Sequence, residues 1–448
     1  MAVSVRQRLE QDEARLAPYA LRAESATRRY ALDDEGRAFD YRTSFQRDRD
    51  RIVYSRAFRR LRQKAQSGIL PAYEDHRRNR LTHTLEVSQL ARTIGRALGL
   101  NEDLIEAVAL GHDLGQPPFG PAGAGALHDL LSGALDGRGG PGLGDLGGFD
   151  GSWQALRVVD RLEKRYGHPG LNLTDAVREG ILKCGAPLAW PPDDPPGLRH
   201  GLAPPFESQA VSVADRVAEA LHDLDDGLQS GTIAVEAVER LKAVSELRRK
   251  LGARWRPKAG RFVKANAIHR GLIHLFVTDV IVASQARLRA WAERHGVKTP
   301  RSFERVRDTA LAGGEIASSP ACVALLADLA GFLEARVRRG FAADRLDGRG
   351  RRVVLGLVSA YLADPTLLEP HVLLRFKEAA GVRYLRDLPR SAVGAEGLRY
   401  ASDPRFARVV ADYVAGMTDA FAVTEHARLL EMGAIPIPSV EQLHRERS

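Results

Sequence analysis

Four side chains carry the chemistry legible in this chain. His83 lies in RLTHTLEV, the adjacent His112 and Asp113 in ALGHDLG, and Asp215 in SVADRVAEALHDLDDG. Two imidazoles and two carboxylates, with no thiolate, suit a divalent cation that activates water against a phosphoester. Mn²⁺ is the first expectation and Mg²⁺ or Fe the next, rather than a structural zinc. Taken alone, a histidine such as His83 beside an amphipathic helix is more often a surface or core residue than a ligand. Asp215 changes the weighing, because a carboxylate inside the apolar flow VSVADRVA is costly to bury unless it is paired or binds a cation. The competing expectation for Asp215 is an ion pair with Arg216 or Arg80. Directly after the His-Asp pair, QPPFGPAGAGA offers no acid-base group.

These residues need helices to position them. Leu85, Leu90, Ile94 and Leu98 fall near one face and predict a helix from Thr84, ended by Gly99. Asn101 can cap a second helix running to about His112, with Glu102 and Asp103 in its first turn; Gly115 and Pro117-Pro118 stop it. The His-Asp pair thus falls at a helix C-terminus. A third helix is predicted from Phe206 to Leu228, with Val211, Ala214, Ala218, Leu221 and Leu228 on its apolar side. On it Asp215 and His222 are two turns apart on one face. Further helical patterns cover 234–251, 267–292, 320–339, 351–363 and 405–431, and few segments alternate like strands. Residues 132–151 are Gly-rich without a phosphate-loop pattern, and 185–205 are Pro-rich. Such segments are binding loops or dispensable insertions. The expected division is an N-terminal arm at 1–40, a core at 41–290 and a helical C-terminal region at 291–448.

The bulk numbers set limits. A chain of 448 residues, 44% hydrophobic and 27% charged, can bury a large core. A net charge of +9 favours anionic partners, or reflects a basic, Arg-rich bias. No helix-turn-helix, zinc-finger or RNA-binding signature makes nucleic acid the main partner, so single-stranded nucleic acid is at most a secondary one. Cys184 and Cys322 form neither a CxxC zinc pattern nor a disulfide framework, and a reducing cytoplasm fits. The N-terminal segment has no apolar signal core, and GLIHLFVTDVIVASQARL is read as a buried helix too short and too polar to span a bilayer.

A resemblance joins these pieces. RDRDRIVYSRAFRRLRQKAQ, then RNRLTHTLEVSQLARTIGRALGLNEDLIEAVALGHDLGQPPFG, resembles the dGTPase-like deoxynucleoside triphosphate triphosphohydrolases, a family of HD-domain phosphohydrolases. GGFDGSWQALRVVDRLE, GLNLTDAVREGILK, SVADRVAEALHDLDDGL and ADYVAGMTDAFA resemble later blocks of that family, in order, from about 45 to 425. The resemblance implies a mainly α-helical HD fold with an additional helical C-terminal region. It also implies a homo-oligomer, often a hexamer, and hydrolysis of a dNTP to deoxynucleoside and triphosphate by attack of water on the α-phosphorus. It gives His83, His112, Asp113 and Asp215 as metal ligands. Arg80 and Arg216 become phosphate-facing cations, Gln66 a residue near the sugar, and Asp223 a reader of the 3′-hydroxyl.

The chain also departs from the family. Where the family continues HDxGHPPFGHxGE, this chain reads HDLGQPPFGPAGA. Gln116 replaces a histidine facing the α-phosphate. Pro121 and Ala124 replace a histidine and an acid that assist proton transfer. Glutamine donates a hydrogen bond but carries no proton at neutral pH, and general acid-base help is worth about two to four orders of magnitude in rate. Glu219 stands where the family has a tyrosine against the 2′ edge of the sugar. Trp153 either stacks on a base or fills the core, the second being favoured. Two readings follow. One is a metal-dependent nucleoside triphosphate hydrolase of weakened or altered activity, with His128, His168, His200 and His222 available as substitutes for the lost acid-base groups. The other is a catalytically impaired nucleotide-binding regulator of the same fold.

Overall fold

The structure is a computed structural model that describes residues 5–31, 41–66, 78–135, 144–184, 195–255, 260–311 and 313–431. Among these residues there is no strand; two isolated β-bridges, Arg28 with Thr174 and Lys164 with Gly170, interrupt a helical chain. The mainly α fold expected from the periodicity is the one observed. The chain falls into two compact units: Met1–Arg62 with Gln66–Gly115 and Gly151–Asp344, and Gln63–Ala65 with Gln116–Asp150 and Arg345–Ser448.

In the first unit three helices pack together: Arg80–Leu98, Glu102–Gly111 and Phe206–Gln229. The first starts four residues before the predicted Thr84. Asn79 accepts a hydrogen bond from the Thr82 amide at 3.0 Å while the Thr82 hydroxyl accepts from the Asn79 amide, a reciprocal cap that polarity patterning alone does not reveal. Gly99 ends this helix in the left-handed region at φ 72°, where a side chain would be strained. Asn101 caps the next helix, as predicted, by accepting from the amides of Asp103 and Leu104. Val87, Ala91, Ile94, Leu104, Val108, Val211 and Ala218 meet in the main core. Each fully buried large aliphatic side chain contributes about 1.5–3 kcal/mol. Trp153, 8% exposed, belongs to this core.

The apolar stretch at 271–288 is longer than the sequence pattern indicated. It belongs to a 34-residue helix, Arg261–Arg294, that by length and composition alone could cross a membrane. It is also not buried all round. Its buried residues, including Leu272, Phe276, Val280, Ser284, Leu288 and Trp291, recur every three or four positions and form one stripe. Asp279, which interrupts the apolar run, accepts from the backbone amide and hydroxyl of Ser319 and so holds the start of the Pro320–Leu333 helix. A five-residue π-helical segment, Glu334–Arg338, follows that helix.

The second unit has its own core, in which Leu127, Leu130, Val354, Tyr361, Phe376, Tyr400, Phe406 and Val410 are buried. The predicted 405–431 helix is two helices, Pro404–Ala415 and Asp419–Leu430, because Gly416 ends the first and the Thr418 hydroxyl caps the second. Asp419 accepts from the backbone amides of Ala65 and Phe119, tying two distant segments together. Phe119 sits there at φ 64°, a conformation a bulky residue rarely holds without such anchoring. Of the two predicted loops, 136–143 and 185–194 lie outside the described residues; 144–150 and 195–205 contain no helix.

Candidate metal centre

The helical frame of the first unit gathers the four metal-type residues. His83 sits in the first turn of its helix, His112 caps the C-terminus of the next, Asp113 follows it, and Asp215 lies in the middle of the third. Ring nitrogens of His83 and His112 and a carboxylate oxygen of Asp113 all lie within 4.8 Å of one another. One Asp215 oxygen, Oδ1, lies 3.1 Å from His83 Nε2 and 3.6 Å from His112 Nε2. The side chains of His83, His112 and Asp113 are 2%, 7% and 6% exposed, whereas that of Asp215 is 26% exposed, so the cluster is reached from the Asp215 side.

The His112 ring shows what the cluster is built to receive. Its Nδ1 is 2.6 Å from the Ala109 carbonyl oxygen, an acceptor, so Nδ1 carries the hydrogen. Its Nε2 is buried and makes no hydrogen bond among the described residues, with Asp215 Oδ1 at 3.6 Å and Asp113 Oδ1 at 3.7 Å; it carries a proton when those carboxylates are its only neighbours and becomes a lone-pair donor when a cation takes the proton's place. A buried nitrogen of this kind beside two carboxylates fits a cation. Burial opposes protonation of His112, but Asp113 and Asp215 outweigh it and push its pKa up to about 9. Burial alone would raise the two carboxyl pKa values. Instead, Asp215 is held well below the usual range by His112 and His83, and Asp113 is held down by Arg80 and the histidines.

Arg80 donates to Asp113 at 2.9 Å, with both side chains 6% exposed. The ion pair expected as an alternative for Asp215 therefore forms at Asp113 instead. Arg216 is exposed and has no ion-pair partner among the described residues. One and two turns past Asp215, Glu219 and Asp223 share a residue that the sequence reading missed: Arg338 donates to Glu219 at 2.8 Å and to Asp223 at 2.6 Å. No sequence pattern announced it, because Arg338 is 115 residues from Asp223 and is delivered by the π-helical turn. Burial and the Asp215 and Asp223 charges raise the Glu219 pKa more than Arg338 lowers it.

The remaining candidates are spread more widely. Gln66 is half-buried, with its Oε1 unpartnered among the described residues. Gln116, Pro121 and Ala124 belong to the second unit: the Gln116 carbonyl accepts from Lys64, Pro121 is exposed in the first turn of the Gly120–Leu131 helix, and Ala124 packs on that unit's core. Of the four spare histidines, His222 touches the cluster, its Nδ1 lying 3.1 Å from His83 Nδ1. His128 bonds the Phe149 backbone, His168 stacks on Tyr30 and Tyr166, and His200 is exposed.

Comparison with known proteins agrees with this geometry. Residues 80–135 match the HD domain and residues 387–428 the phosphohydrolase-associated domain. A deoxyguanosinetriphosphate triphosphohydrolase-like protein of Azoarcus sp. (strain BH72) is 39% identical over 399 residues, 88% of this chain and 92% of that one. Proteins of the same description from Ralstonia nicotianae (strain ATCC BAA-1114 / GMI1000) and Geobacter sulfurreducens (strain ATCC 51573 / DSM 12127 / PCA) are 37% and 36% identical, over 93% and 94% of this chain and 95% and 96% of theirs. Identity at this level along nearly the whole of both chains settles the kinship: this chain belongs to the deoxyguanosinetriphosphate triphosphohydrolase-like family of HD-domain proteins.

Proposed function

We propose that this protein hydrolyses nucleoside triphosphates, releasing the nucleoside and triphosphate, with the help of one divalent cation held by His83, His112, Asp113 and Asp215. The observation that carries the reading is the convergence of the buried ring nitrogens of His83 and His112 with carboxylate oxygens of Asp113 and Asp215, with His112 Nε2 making no hydrogen bond among the described residues. When bound, the cation would lower the pKa of water and offset charge on the α-phosphate. Mn²⁺ suits the mixed nitrogen and oxygen donors best, with Mg²⁺ or Fe next.

The chain's own groups do the rest. Arg80 fixes the orientation of Asp113 and keeps a buried Nε with no partner among the described residues, a donor left for a phosphate oxygen. Arg216, exposed beside Asp215, adds a second phosphate-facing cation. Asp223 would accept from a 3′-hydroxyl, and Gln66 would contribute near the sugar. With Gln116, Pro121 and Ala124 at positions that carry acid-base groups in the family, turnover is weakened or altered. The second reading, a nucleotide-binding regulator of low activity, rests on the same three residues. Assembly as a homo-oligomer, hexameric in the family pattern, and a cytoplasmic location complete the proposal.

A screen of deoxy- and ribonucleoside triphosphates with Mn²⁺ and Mg²⁺, reading nucleoside and triphosphate release, separates the two. Slow release from at least one nucleotide is expected, below the roughly 10 per second typical of enzymes. No release with intact nucleotide binding would establish the regulator. Asp215→Ala should abolish stoichiometric metal while keeping the helical circular dichroism; full metal occupancy in that variant would overturn the ligand assignment.

A further inference from the structure

The third helix reaches back to the first at a point the ligand set does not use. Asp215 and His222 lie seven residues apart on one helix, and His83 and Glu86 three apart on the other, so each pair shares a face. The four side chains close a ring: Asp215 Oδ1 is 3.1 Å from His83 Nε2, His83 Nδ1 is 3.1 Å from His222 Nδ1, and His222 Nε2 contacts a Glu86 oxygen. His83 and His222 are 2% and 3% exposed, so water does not complete their bonds. Arg78, whose Nε lies 3.7 Å from Glu86, holds the far end.

Counting hydrogens around the ring assigns the roles. Two ring nitrogens 3.1 Å apart share one hydrogen, so one imidazole donates and the other accepts. Glu86 is a carboxylate and accepts, so His222 Nε2 carries a hydrogen. A neutral His222 then has a bare Nδ1, and His83 must donate to it from Nδ1. Neutral His83 consequently has a bare Nε2, which faces an Asp215 oxygen that carries no hydrogen. Two neutral imidazoles therefore satisfy every contact but one, and that contact closes with a proton on His83 Nε2 or with a cation between His83 Nε2 and Asp215 in the proton's place.

We propose that His222, oriented by Glu86, is a positioning residue that fixes His83 in the tautomer and ring orientation that present Nε2 to the cation; this rests on the metal reading above. The usual outer partner of a metal-binding histidine is a carboxylate or a carbonyl, and losing it weakens metal binding about 10–100-fold. Here an imidazole stands between, and the carboxylate lies one residue further out.

Two isosteric substitutions isolate the role. In His222→Asn the side-chain oxygen takes the place of Nδ1 and still accepts from His83. In His222→Gln the amide reaches toward Glu86 and leaves His83 Nδ1 without an acceptor. Mn²⁺ affinity by isothermal titration and metal content by elemental analysis are compared among the parent, these two variants and His222→Ala, with thermal unfolding followed alongside. The expected result is Mn²⁺ binding about 10–100-fold weaker in the Ala and Gln variants and within a few fold of the parent in the Asn variant. Equal loss in Asn and Gln, or parent-like affinity in Ala and Gln, overturns the positioning role while the metal reading stands. A parent protein that binds no Mn²⁺ overturns both. Should His222→Ala fail to fold, the Asn and Gln pair alone decides.

Discussion

At the residue scale, the site is a set of buried charges that compensate one another. Asp113 is 6% exposed and answers to Arg80 on one side and the histidines on the other. Removing Arg80 takes away the ion-pair partner of that buried carboxylate, and breaking a buried pair in this way costs about 3–5 kcal/mol. Arg80→Ala should therefore unfold at clearly lower urea concentration than the parent, and excess Mn²⁺ should recover part of the loss by replacing the missing charge. An unmoved midpoint would show that Asp113 does not depend on Arg80. Glu219 presents the opposite case, half-exposed and held by Arg338. A carboxylate engaged this way is withheld from a ribose 2′-hydroxyl. Arg338→Ala should release it and shift binding several-fold toward ATP over dATP. An unchanged ATP/dATP ratio in that variant would remove Glu219 from sugar selection.

At the element scale, the position of the His-Asp pair depends on how the chain leaves the second helix. Gly115 follows two residues after Asp113, and a Cβ there would meet the Ala155 amide at 2.1 Å and the Gly151 carbonyl oxygen at 2.2 Å. Both are backbone atoms of the Gly151–Arg157 helix and cannot rotate away. Gly115→Ala should therefore cost about 1–3 kcal/mol, as overpacking does, and weaken Mn²⁺ binding by displacing Asp113. Unfolding and metal titration check the two effects separately; parent-like values in both would mean that the neighbouring helix yields freely. Gly125, for which a Cβ meets nothing within 4 Å, is the control, since Gly125→Ala should be tolerated. The caps were legible in part. Asn101 could be read from its place before two acids, whereas the Asn79–Thr82 cap lies ahead of the apolar pattern and moved the helix start.

At the scale of the whole molecule, one buried acid links folding to pH. Glu207 opens the Asp215 helix, accepts from the amides of Leu21 and Asn101, and has its pKa pushed up to about 7 by burial. Its folded pKa lies above the ordinary 4.5, so its stabilising contribution is complete below about 4.5 and is lost as pH rises through 7. Glu207→Gln cannot ionise, so its stability relative to the parent should improve by about 3 kcal/mol between pH 4.5 and 8, at 1.36 kcal/mol for each pKa unit. Urea unfolding of both proteins across that range tests the sign. A constant difference would place the Glu207 carboxyl at its ordinary pKa.

The sequence by itself determined the helical class, the candidate ligand residues and the family, because periodicity, spacing and ordered motif blocks are properties of the chain read locally. It also placed His112-Asp113 at a helix end and flagged Asp215 as a carboxylate needing a partner. Only tertiary structure decided which partner each charge takes. Arg80 turned to Asp113 rather than Asp215, His222 proved to be the spare histidine that touches His83, and Arg338 arrived from more than a hundred residues away to engage Glu219 and Asp223. Helix boundaries at 80 and 416 likewise followed from caps. The physical reason is the same in each case: hydrophobic pattern repeats within a helix, whereas a hydrogen bond or ion pair is fixed by two atoms whose separation in sequence carries no information about their separation in space.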